Sequence, residues 1–118
     1  MEKQAHQITI TYRGTEYAIL FDLNVMEEIQ EEYGSIENWV KITDADGQDE
    51  PNAKAIKFGL GAMLNEGIDV YNEEHEEKRP FFTPKQVGRI ITEIGLQSVA
   101  RSMNQSVIES VKNDDPNI

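Results

Sequence analysis

Between Ala53 and about Asn72 the apolar residues Ile56, Leu60, Met63, Leu64, Ile68 and Tyr71 fall on one stripe of an α-helix. A helix of that kind draws most of its stability from packing its apolar face, so the rest of the chain must cover the stripe. Three glycines, Gly59, Gly61 and Gly67, interrupt it at positions where glycine lowers helix propensity. They indicate close approach of another element; flexibility is equally allowed.

Upstream, Gln7 to Arg13 reads QITITYR, with Ile8, Ile10 and Tyr12 on one face and Thr9 and Thr11 on the other. Alternation of β-branched and aromatic residues predicts a strand. Arg13-Gly14-Thr15-Glu16 predicts a turn, and Tyr17 to Phe21 a second strand, giving a β-hairpin that must pack on something to be stable. The chain then changes character within Asp-Leu-Asn. Asp22 or Asn24 can cap a helix in which Val25, Met26, Ile29 and Tyr33 face inward and Glu27, Glu28, Glu31 and Glu32 face solvent. Gly34 ends this helix and Ser35 caps a short successor, Ile36 to Ile42.

A polar loop, TDADGQDEPN, covers Thr43 to Asn52, and a charged connector runs from Glu73 to Pro80. Thr83-Pro84-Lys85-Gln86 has the form of a capping box with proline at the first helical position. The helix it opens carries Val87, Ile90, Ile91 and Ile94 and stops at Gly95. A last helix carries Leu96, Val99, Ala100, Met103, Val107 and Val111 before a polar tail. The expected fold is α+β, mostly α: an N-terminal hairpin packed on four to five helices. The 118 residues are expected to form a single domain, with flexible ends at 1–6 and 113–118.

The formal net charge of -11 argues against nucleic acid or an anionic membrane as partner, because both require a basic footprint. The absence of cysteine removes thiolate and disulfide chemistry and suits a cytosolic setting. The start, MEKQAHQITI, has no apolar signal core, and no later run is long enough to span a bilayer.

Motifs for chemistry are sparse. Asp44, Asp46 and Asp49 are closely spaced oxygen donors, but an EF-hand loop starting at Asp44 would need its glycine sixth and a glutamate twelfth, where Gly47 is fourth and position 55 is Ala. A solvated turn is the expected role. His75 lies among Glu73, Glu74, Glu76 and Glu77, but a zinc helix would need a histidine at position 79, which is Arg. His6, in the N-terminal lead, is the only other histidine. No nucleophile elbow, phosphate loop or dinucleotide fingerprint occurs, and Gly59-Leu60-Gly61 lacks a preceding strand. No cofactor, no metal and no enzymatic activity are expected. A carboxylate pair assembled in three dimensions would be the exception.

Three aromatic residues stand out as candidates for partner binding: Trp39, Phe81 and Phe82. Phe81 or Phe82 is also readable as a hydrophobic staple for the capping box, and Trp39 equally as core. Met63 and Met103 fall on helical stripes and are expected in the core.

The order of elements resembles the phage tail assembly chaperones. It is carried by TYRGTEYAILFDLN running into VMEEIQEEYGS, then by AIKFGLGAMLNEGIDVY, a short connector, the Thr-Pro-Lys-Gln cap and the Gly95-Leu96 step, over roughly residues 8 to 111. The family is held together by apolar pattern and element order rather than by catalytic residues. The resemblance implies a non-enzymatic protein of the host cytoplasm, from a phage or prophage, that coats the long apolar tape measure protein until the tail tube polymerises. It also implies self-association and, in many members, a longer frameshifted form that recruits tail tube protein. This chain would correspond to the short form or the shared N-terminal part. The alternative is a structural tail or connector component retained in the virion, although tube proteins are usually β-rich.

Overall fold

In a computed structural model the chain is described over residues 7–44 and 50–113, with side chains to 110. The acidic loop reading at Asp46 and Asp49, the expected flexible ends and His6 lie outside the described residues. The fold is α+β and mostly α: a two-stranded antiparallel hairpin followed, among the described residues, by five helices.

The hairpin pairs β1 (Thr9–Tyr12) with β2 (Thr15–Ala18), Ile10 opposite Tyr17. Its turn is tighter than the sequence suggests. Only Arg13 and Gly14 lie outside the ladder, with φ of 53° and 82°, the positive pair that a two-residue turn needs to match strand twist. The second strand accordingly begins at Thr15 rather than Tyr17. The Ile19 N–H still bonds to the carbonyl of Ile8, but that of Leu20 turns to the carbonyl of Met63 (3.3 Å), so the chain leaves its own hairpin to dock on a helix.

Helix α1 (Leu23–Tyr33) is capped by Asp22, whose carboxylate accepts from the Val25 N–H at 3.2 Å. It ends at Gly34, where φ is 87°. Helix α2 (Ile36–Thr43) is capped by Ser35. Helix α3 (Ala53–Glu74) is the longest, about 33 Å by helical rise, and buries Ile56, Leu60, Met63, Leu64 and Ile68. Helix α4 (Pro84–Ile94) opens with the expected capping box, Thr83 and Gln86 each bonding the other's backbone, and Gly95 turns the chain into α5 (Leu96–Asn113).

Two glycines of α3 have the close neighbours their positions imply. A Cβ on Gly59 would lie 2.3 Å from Cζ2 of Trp39, and one on Gly67 would lie 2.3 Å from the carbonyl oxygen of Ala18. The first lets α2 press its tryptophan ring against the backbone of α3; the second lets β2 cross α3 backbone to backbone. α5 closes the core with Val99, Ala100 and Met103, and its Ser106 hydroxyl donates to the Ile19 carbonyl at 3.2 Å.

Both helices flanking α3 on its open side run antiparallel to it. Along α1, Asn24 meets Glu66 and Tyr33 meets Phe58; along the incoming chain and α4, Phe82 meets Asn65 and Gly88 meets Lys57. The result is a trough with α3 as its floor.

Candidate functional site

The trough is an open groove of about 460 Å³. Its floor is made by Phe58, Gly61, Ala62 and Asn65 of α3, one wall by Glu28 of α1, and the other by Phe81, Phe82, Pro84 and Val87. Small residues in the middle of the floor, Gly61 and Ala62, leave room there for a close approach. Lys54 and Lys57 stand at one end, Glu66 and Asp69 at the other.

The wall that carries Phe81 is extended chain held by two asparagines of α3. Asn65 accepts from the Phe82 N–H at 2.9 Å and donates to the Phe82 carbonyl at 3.0 Å. Asn72 does the same for Arg79, at 2.8 and 3.0 Å. The asparagines are seven positions apart, about 10.5 Å along the helix, which three residues of extended chain also span. Arg79 adds its guanidinium over the Tyr71 ring at 3.8 Å and the Tyr17 ring at 5.1 Å. Such cation–π contacts pin the connector to both α3 and the hairpin.

The three aromatic candidates fare differently. Phe81 is 52% exposed and forms the groove rim. Phe82 is half-buried and lines the groove, but its ring packs edge-on against Tyr17 (5.1 Å) and Tyr12 (6.3 Å), so much of it serves the core. Trp39 corrects the expectation that it contacts a partner. It is fully buried, its indole N–H donates to the Ala55 carbonyl at 3.0 Å, and the space for its ring is the absent side chain of Gly59. Of the three, only Phe81 and Phe82 meet at one surface. The floor residues Phe58 and Ala62 escape the sequence reading because they lie beside the core stripe, and Gly61 reads there only as a place of close approach; the one further signal is Phe58, an aromatic off that stripe.

Glu66 supplies the groove's distinctive electrostatics. Its carboxyl is pushed up to about 7, first by a hydrogen bond with the Asp22 carboxyl, then by burial and by the charges of Asp22 and Asp69. The Asn24 amide, donating to Glu66 Oε2 at 3.1 Å, acts the other way. A carboxyl of this kind holds a proton near neutrality and gives it up when a cation arrives. The groove lining contains no serine, threonine, cysteine or histidine that could act as a nucleophile beside it. His75 stacks on Tyr71 at 3.8 Å with Nδ1 2.8 Å from the Tyr71 carbonyl, at the end of α3. Among the described residues no three His, Cys, Asp or Glu side chains gather as a metal site, and no helix is long and apolar enough to cross a membrane.

Comparison of the chain with profiles of protein families, with curated proteins and with solved structures finds no match.

Proposed function

We propose that this chain is a non-enzymatic tail assembly chaperone of a long-tailed phage or prophage, which holds the tape measure protein in the host cytoplasm until the tail tube forms around it. The observation that carries this reading is the open apolar groove rimmed by Phe81, on a body whose net charge is -11. A groove with small residues in its floor and aromatic and aliphatic ones along one wall takes the apolar face of a client helix. The strong like charge keeps many copies soluble and apart along one long client. The order of elements over residues 8 to 111, similar to that of tail assembly chaperones, supplies the identity of the client.

Tagged chain, purified from cells expressing the neighbouring phage genes, tests the reading by mass spectrometry of what co-purifies. A very long helical protein is expected, together with a longer form sharing this N-terminus and tail tube protein bound through it. Recovery of the chain in finished virions, with no such client, would replace the chaperone by a structural tail or connector component.

A further inference from the structure

Resting on the groove as the seat of a client helix, we propose that it selects clients by charge order: it takes a helix whose apolar face has Lys or Arg at one end and Asp or Glu at the other. The basic end of the client lies over Glu66 and Asp69, and its acidic end over Lys54 and Lys57.

The charges sit on the exposed side of one helix. From Lys54 and Lys57 to Glu66 and Asp69 is twelve positions, about 18 Å of rise, with Phe58, Gly61 and Ala62 between them. Glu28, on the α1 wall, extends the negative half toward the middle. This order works against α3 itself. A helix is stabilised by acidic residues in its first turn and basic residues in its last. Here the first turn has Lys54 and no acid, and the last turn has Glu73 and Glu74 and no base. Neither Lys54 nor Lys57 has an ion-pair partner among the described residues. Among the described residues the lysines therefore neither support their helix nor neutralise a neighbour.

On a surface this acidic, any basic peptide is attracted in a general way. What Lys54 and Lys57 add is a place where an acidic client end is attracted as well. Reversing the two lysines should consequently change which client is preferred.

Three synthetic helical peptides of about 18 residues, about 27 Å long and so able to reach both charged ends of the groove, separate these effects. All share one Leu/Ala face. The first carries Lys in its first two turns and Glu in its last two, the second Lys throughout, and the third Gln throughout. Fluorescence anisotropy with the full chain should show the mixed peptide binding about tenfold more tightly than the Gln peptide at low salt, the gap closing as salt rises. Lys54→Glu with Lys57→Glu should weaken the mixed peptide about tenfold and strengthen the all-Lys peptide. Phe81→Ala should weaken all three, which locates binding in the groove. Equal binding of the mixed and Gln peptides, or indifference of the mixed peptide to the lysine reversal, would overturn the charge-order inference and leave the groove as a helix seat. Failure of all three peptides to bind the unaltered chain would overturn the seat, and the inference with it.

Discussion

Asn65 and Phe82 are joined as two strands would be: one side-chain amide satisfies both the N–H and the carbonyl of a residue seventeen positions away. Asn72 repeats the arrangement at Arg79. Through these two bridges α3 sets the position of the segment that presents Phe81, so the rim of the groove is fixed by the helix that forms its floor.

Replacing Asn65 by alanine leaves the part-buried N–H and carbonyl of Phe82 without partners. The expected loss is about 1–3 kcal/mol, read as a lower denaturant midpoint at unchanged slope. Asn65→Asp keeps an acceptor but loses the donor to the carbonyl, and it should also destabilise. A midpoint within error of the unaltered chain for both variants would mean the bridges do not hold the segment.

The glycines divide into two kinds. Gly59→Ala and Gly67→Ala each force a methyl to within 2.3 Å of another atom, Trp39 Cζ2 or the Ala18 carbonyl oxygen. Both should cost about 1–3 kcal/mol in spite of the helix propensity gained, Gly67 more because backbone yields less than a ring. Gly88→Ala in α4 meets only the Lys57 side chain at 3.7 Å, an ordinary contact, and should stabilise by up to about 1 kcal/mol. Thermal melts of the three variants check the order.

Trp39→Ala removes the largest fully buried side chain and the indole bond to Ala55. The expected cost is about 3–5 kcal/mol. In the unaltered chain its emission should be that of a dry tryptophan and should stay unchanged when a client fills the groove, which Trp39 does not line.

Glu66 makes stability depend on pH in a defined direction. Its carboxyl titrates near 7 in the fold against an ordinary value of 4.5, so the folded state holds the extra proton between those values. The stabilisation is complete below about 4.5 and is lost as pH rises through about 7. Glu66→Gln cannot lose the proton, so its advantage over the unaltered chain should grow from pH 5 to pH 8. Denaturation of the two proteins across that range checks the sign; an advantage that shrinks with pH would reverse the assignment.

How much of this was legible in the sequence depended on whether the signal was local. The caps at Ser35 and Thr83, the stop at Gly34 and the stripe of α3 are set by residues within a few positions of each other, and each was readable. Asp22 and Asn24 could not be separated as caps until Asn24 was seen to reach Glu66, forty-two positions on. Trp39 was open between core and surface because the deciding neighbour, Gly59, lies on another helix. The groove depends on α1, α3 and the segment before α4 meeting in space, and the Asn65–Asn72 pair gives no pattern beyond a seven-residue spacing until the connector is laid across it.

Whether the Phe81-rimmed groove holds an apolar helical client is testable on the client itself. The direct measurement is the soluble fraction of the tape measure protein when it is co-expressed with the unaltered chain, with Ala62→Asp and with Phe81→Asp, each variant first shown to melt like the parent. The parent should keep the tape measure protein soluble, and a charge on the groove floor or rim should abolish this. Equal solubility with all three proteins, or none with the parent, would contradict it.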